Sequence, residues 1–368
     1  THRLSSAASD VYKRQTSNYY QIIDSTLGLK LLLKKISINS SVSYKLLSNK
    51  LNYLSDKIIG VSICWEQGKA YYLSFSNNFE IEEIKLFFEN EKIEKISDSV
   101  KNDIKLLSKY NIKVKGQIFD TTLAHYIINP DTNHSINQLS ETYLNYTLID
   151  LQSLIGKGKN QKLISDLETS QVKDYLCEQA DVNFQLKSLF KIELNNTKLF
   201  SLFDEIEIPL LKVLADMEIE GINLDIKFLE SLKKDLITDI STLEKLIYHE
   251  AGENFNISSP KQLGEILFEK MQLVKKPKKT KTGQYSTSED ILKDLSLEHE
   301  FVKNILKYRS LTKLMSTYVD SLPNQVLNTT NRVHTEYLQT VASTGRLSSI
   351  NPNLQNIPIR TKRGREVR

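Results

Sequence analysis

The stretch Thr344–Pro358, TGRLSSINPNLQNIP, gathers arginine, serine, asparagine and glutamine into fifteen residues with no carboxylate among them. Arg346, Gln355 and Asn356 are hydrogen-bond donors, Ser348 and Ser349 add short hydroxyls, and Pro352 and Pro358 stiffen the backbone that carries them. Two arrangements suit such a stretch. One is an Asx-rich turn whose side chains satisfy their own backbone. The other is a row of donors facing the minor groove of a duplex. There every Watson–Crick pair offers acceptors at similar places, so donors test pairing without reading sequence.

The charge around the stretch favours a polyanion. Five Lys/Arg and one glutamate lie between Asn356 and Arg368, and seven lysines and two glutamates between Ile257 and Tyr285. The chain as a whole carries only +4 over 368 residues, with 26% charged and 40% hydrophobic residues, a balance that excludes disorder and a membrane protein. No apolar run reaches the 18 residues of a membrane span; LKLLLKKI, the densest patch, is broken by lysines. Two cysteines, Cys64 and Cys177, are too few for a disulfide framework and suit a reducing cytosol. The first fifteen residues, THRLSSAASDVYKRQ, differ in composition from the Ile-, Lys- and Asn-rich remainder and lack a signal-peptide core; a non-native leader over 1–15 is expected.

Length predicts two or three lobes. The first half alternates strand and helix patterns. IIGVSICW and KAYYLSF read as strands joined by EQG, then come helices at EEIKLFFEN and VKNDIKLLSKY, a strand feeding a helix at QIFDTTLAHYII, and a helix over Thr169–Leu194. A boundary falls near Gly221. Asp225–Ala251 then predicts a long amphipathic helix, capped by Asp225, ended by Gly252, and apolar at Phe228, Leu229, Leu232, Leu236, Ile240, Leu243 and Ile247. At 1.5 Å per residue it would reach roughly 40 Å, the length of an arm. Ser259 with Pro260, and Ser286 with Glu289, mark two further helix starts, flanking the lysine-rich VKKPKKTKTGQ. Exposed N–H groups at helix starts beside such a loop suit phosphate oxygens.

The segment VHTEYLQTVASTGRLSSINPNLQNIPIR closely resembles the entry to the palm of the family A DNA polymerases, of the bacterial DNA polymerase I kind. Upstream, FNISSPKQLGEILFEK, STSEDIL and LKYRSLTKLMSTYVDSLP are similar to the thumb of that family. VKNDIKLL, QIFDTTLAHYIIN, LIGKGKNQ and YLCEQADVNFQLK are similar to its 3′–5′ exonuclease domain. The resemblance implies an α/β, ribonuclease H-like domain over 16–203, a mainly helical thumb over 204–330 and the beginning of an α+β palm over 331–368. It also implies a monomer in the bacterial cytosol that acts in DNA replication and repair on primer–template DNA, with deoxynucleotides as substrates and magnesium as cofactor of the full-length enzyme. In this family's pattern Arg346 would contact the minor groove with Gln355 and Asn356 nearby, Arg360 would face the nucleotide phosphates, and Ser259, Lys261, Lys313, Ser316 and Thr317 would lie along the duplex backbone.

Two absences modify that expectation. The family's exonuclease holds two divalent metals on clustered carboxylates. Two of these acids sit at i and i+2 of one strand, where the flanking match places Lys45 and Leu47. An error of register would not restore them, because no Asp or Glu occurs from Ser25 to Ser55. Asp103 remains, Gln179 replaces the last ligand, Asp181 belongs to the pattern in its own right, and Tyr175 is left without a water to orient. His125 and His134 read as ordinary surface or helix residues. A vestigial proofreading domain with no bound metal is expected. Second, the only acid from Pro352 to Arg368 is Glu366, so the palm aspartates are missing and a truncated, catalytically incomplete chain is expected. The alternatives are an active 3′–5′ exonuclease, which needs carboxylates the sequence lacks, and a noncatalytic duplex-binding module.

Overall fold

The computed structural model describes residues 18–48, 56–75, 79–158 and 161–368; the leader over 1–15 lies outside the described residues. The chain divides into two compact units. One comprises residues up to Glu220 together with Tyr337–Ser348, and the other Gly221–Glu336 together with Ser349–Arg368.

The first unit is built on a mixed six-stranded sheet. Its strands are β1 (Tyr19–Ile23), β2 (Ser41–Ser48), β3 (Ile58–Glu66), β4 (Lys69–Ser74), β5 (Glu94–Ser97) and β6 (Ile118–Asp120), in the order β1-β4-β3-β2-β5-β6. β2, β3 and β4 pair antiparallel; β1 on β4, β5 on β2 and β6 on β5 are parallel. The two strands read around EQG are β3 and β4. Helix α1 (Thr26–Ser37) precedes β2, and α2 (Val100–Ser108), α3 (Thr121–Ile128) and α4 (Ile136–Leu144) follow β5 and β6. The 28-residue helix α5 (Thr169–Asn196) packs across β2, β3 and β4.

Helix α5 is buried on every side from Leu176 to Asn183. A helix so placed must find partners for its polar side chains, and it does. Glu178 accepts from the Tyr146 hydroxyl and, at 2.7 Å, from the Ile149 amide. Asp181 accepts from the Tyr20 hydroxyl at 2.9 Å and the Gly68 amide at 3.0 Å, tying down the β3–β4 turn. Helix α6 (Ile208–Glu220) closes the continuous part of the unit.

The second unit is mainly helical. Asp225 caps α7 (Ile226–Ala251) through the Phe228 amide at 2.9 Å, and Gly252 ends it in the left-handed region at φ +74°. Leu229, Leu232, Leu236, Ile240, Leu243 and Ile247 are buried, at the 3- and 4-residue steps of one face, against α10 (Glu300–Leu314). Phe228, one residue off that face, is 46% exposed. Ser259 caps the short α8 (Pro260–Glu265). The next helix, α9 (Glu289–Ser296), starts behind Ser288 rather than at the expected Ser286. The Ser286 amide is drawn into a bridge by the Lys278 carbonyl, and Arg309 holds the Thr287 carbonyl, so neither residue is free to begin a helix. A small sheet of Ile222–Asn223, Arg332–Val333 and Val326–Leu327 completes the unit, with α11 (Lys362–Val367) near its end. Gly221 enters this sheet at φ +66°, where a Cβ would meet the His334 ring at 2.8 Å; only glycine fits both constraints.

Candidate nuclease centre and nucleic-acid interface

In the first unit β2 presents Lys45 and Leu47 on one face, and Lys45 lies opposite Ser62 of β3. The Lys45 ammonium donates to both oxygens of Asp98, at 2.7 and 2.8 Å. Asp98 sits just beyond β5 and also accepts from the Asn183 amide of α5 at 3.1 Å. Burial pulls the Lys45 pKa down, but Asp98 and Asp103 outweigh it and the net shift is upward, so the ammonium stays charged at neutral pH.

Asp103 lies in the first turn of α2, buried, and accepts from the Ser97 hydroxyl at 2.9 Å. Burial pushes its carboxyl up to about 7, against the pull of Lys45 and Ser97. Asp120 caps α3 through the Leu123 amide at 2.9 Å and accepts from Val100 N–H at 3.0 Å; burial still pushes it up to about 6. Tyr175 and Gln179 stand one turn apart on α5. Burial pushes the Tyr175 hydroxyl up, while the neighbouring Lys45 and Gln179 pull it down. Leu47 packs among Cys64, Tyr72, Val172 and Leu176.

The structure thus gathers Lys45, Asp103, Tyr175 and Gln179 and leaves Leu47 in an apolar cluster. Asp98 was not foreseen. Its signals in the sequence were a buried-strand lysine that needs a counter-charge and an aspartate in ISDSV directly before a helix. The pair of divalent metals in the family's pattern does not fit these residues: an ammonium covers both Asp98 oxygens, Leu47 offers no ligand, and Gln179 offers a neutral amide. Among the described residues no group of three or more His, Cys, Asp or Glu is placed to hold an ion.

His125 and His134 are buried rather than on the surface. Their Nδ1 atoms lie 2.8 Å apart, and His125 Nε2 meets the Tyr143 hydroxyl at 3.0 Å. Burial and the facing His134 push His125 down to about 4, so the pair is neutral at pH 7.

The donor stretch divides between the units. Arg346 belongs to the first. It is exposed just after a turn in which Gly345 N–H donates to the Ala342 carbonyl at 3.0 Å, with Gly345 at φ +74°. Gln355, Asn356 and Arg360 are exposed in the second. Ser349 is no free donor: it is fully buried, 2.8 Å from the Thr335 hydroxyl, and accepts from the Leu354 amide at 3.1 Å. The turn that presents Gln355 and Asn356 consumes that hydroxyl.

Lys261, Lys313, Ser316 and Thr317 are exposed, and Ser259 is half-buried as a cap. The helix bearing Lys313 widens into a π-helical turn, Met315–Val319, that carries Ser316 and Thr317; such turns recur at functional sites. The Lys279 ammonium lies 4.9 Å above the Tyr285 ring, which steadies the base of the lysine-rich loop.

Residues 226–368 match the family model described as DNA polymerase family A, and residues 46–186 that described as DNA polymerase I, ribonuclease H-like domain. The chain is 35% identical over 369 residues to DNA polymerase I of Borreliella burgdorferi, covering 98% of this chain and 40% of that protein. It is 39% identical over 318 residues to DNA polymerase I of Bacillus subtilis, covering 86% and 36%. A solved structure, the POL domain of Pol1 from M. smegmatis in complex with DNA primer-template and dNTP, is similar with a TM-score of 0.79 and 29% identity. The match covers 95% of this chain and 57% of that one. The chain therefore spans about two fifths or less of the length of these curated relatives. Two family models in sequence order, on an α/β unit and then a helical one, place the chain in family A of the DNA polymerases, of the bacterial DNA polymerase I kind.

Proposed function

We propose that the chain is the part of a replication and repair DNA polymerase that grips primer–template DNA, joined to an exonuclease-like domain that has lost 3′ cleavage. The exonuclease-like domain is assigned to 16–203, the thumb to 204–330 and the start of the palm to 331–368, with 1–15 as a leader. The chain is a monomer in the cytosol, and deoxynucleotides and magnesium are required by the complete polymerase.

Arg346 tests pairing in the minor groove, with Gln355 and Asn356 nearby, and Arg360 meets the phosphates of the incoming nucleotide. Ser259, Lys261, Lys313, Ser316 and Thr317 follow the duplex backbone. These donors carry no base code, so binding is indifferent to sequence. In the exonuclease-like domain Lys45, a fixed cation on Asp98, stands where a metal-binding carboxylate would be needed.

The observations that carry this proposal are the exposure of Arg346, Gln355, Asn356 and Arg360 and, within the first unit, the closing of the nuclease centre by the Lys45–Asp98 pair. The test is a labelled primer with a mismatched 3′ end, incubated with magnesium or manganese. Binding of the primer–template with no trimming above that of a Lys45→Ala, Asp103→Ala control is expected. Trimming above the control would restore the active-exonuclease alternative.

A further inference from the structure

Residues 337–348 lie within the segment matched by the polymerase family model, yet they pack as part of the first unit. Besides the pairing of Glu336–Leu338 with Ser348–Ile350, side chains from residues before Gly221 anchor them. Glu218, fully buried on α6, accepts the Tyr337 amide at 2.8 Å and the Lys101 ammonium at 2.6 Å, and Lys101 also reaches the Tyr337 carbonyl. Lys105, buried on α2, pairs with the other Glu218 oxygen. Two residues on, Gln339 donates to the Glu207 carboxylate at 2.7 Å and to its carbonyl at 3.2 Å. The Tyr126 hydroxyl of α3 donates to the Ala342 carbonyl at 2.7 Å.

That carbonyl also accepts Gly345 N–H, so Tyr126 fixes the first residue of the turn that presents Arg346. Anchors at 337, 339 and 342 hold one edge of a strap whose next exposed cation is the arginine. None of these groups belongs to the Lys45–Asp98 centre.

We propose that the ribonuclease H-like unit has a positioning role in DNA binding: through Tyr126, Glu207, Glu218 and Lys101 it holds the 337–342 strap and thereby aims Arg346. The inference rests on the assignment of Arg346 as a minor-groove donor. It gives the unit a physical reason to persist without cleavage, because the hydrogen bonds that seat the strap are made by side chains other than Lys45, Asp98 and Asp103.

The test is a double-mutant cycle on the full chain, read by fluorescence anisotropy with a labelled primer–template. Tyr126→Phe and Gln339→Met each remove hydrogen bonds while keeping bulk, and each is expected to weaken binding about threefold to tenfold, the range of one or two such bonds. In an Arg346→Ala background the same substitutions should have no further effect, because the group they aim is gone. A purely structural role would give equal losses in both backgrounds and would overturn the inference. Loss of binding by Arg346→Ala with Tyr126→Phe and Gln339→Met neutral would overturn it alone. Unchanged binding by Arg346→Ala would overturn the assignment of Arg346 and this inference with it.

Discussion

The Lys45 ammonium, held charged at neutral pH, pairs with Asp98 at 2.7 Å, and the two side chains are 17% and 11% exposed. Removing one partner of such a pair leaves the other desolvated without compensation. Lys45→Met is therefore expected to lower unfolding free energy by about 3 kcal/mol, read in a denaturant titration, while 3′ trimming stays at background. Asp103 contributes to the pH response together with Asp120. Its pKa is raised from 3.8 to about 7, so the folded chain binds a proton across that window after the unfolded chain has released it. The contribution of Asp103 to stability then falls as pH rises from about 4 to about 7. Asp103→Asn, which keeps an acceptor for Ser97, is expected to flatten that slope and to be the more stable form at pH 8 by on the order of 3 kcal/mol. Equal slopes for the two proteins in melts from pH 4 to 8 would refute this.

Individual helices were legible because their signals are local. Asp225, Gly252 and the apolar steps from Leu229 to Ile247 stand in sequence where the helix needs them, and α7 follows them to the residue. The Ser286 start failed because a backbone bridge to Lys278 and the Arg309 contact at Thr287 come from elsewhere in the chain. Asp98 and the buried His125–His134 pair escaped for the same reason: each is defined by a partner distant in sequence or by the burial of its element. At Gly252 an added Cβ would meet only the tip of Lys270, at 3.7 Å, so the cost of substitution is backbone strain alone. Gly252→Ala is expected to destabilise the second unit by about 1 kcal/mol, with Gly252→Asn milder because asparagine tolerates the left-handed region. Equal melting of all three would show that the helix end does not need that conformation.

Across the whole chain the net charge is only +4, so affinity for DNA must come from where the lysines stand rather than from their total. The family could be read from contiguous motifs, but the membership of the 337–348 strap could not, because sequence attaches it to the segment that follows and packing attaches it to the unit before. The loop from Lys275 to Lys281 holds five lysines between two helices, with none of them buried. Each lysine that neutralises a phosphate releases a condensed counterion, so the logarithm of the binding constant falls with the logarithm of salt by about 0.9 per contact on duplex DNA. Replacing Lys275, Lys276, Lys278 and Lys281 by glutamine, and leaving Lys279 on Tyr285, is expected to reduce the slope by about 2 to 4. The loss should be uniform over primer–templates of different sequence, since phosphate contacts carry no base information. Arg346→Ala, by contrast, is expected to weaken binding most when the terminal pair is correct and to change the salt slope little, because its acceptors are base edges rather than phosphates. A series of anisotropy titrations from 50 to 200 mM salt separates the two; a slope unchanged by the four glutamines would remove the loop from the DNA interface.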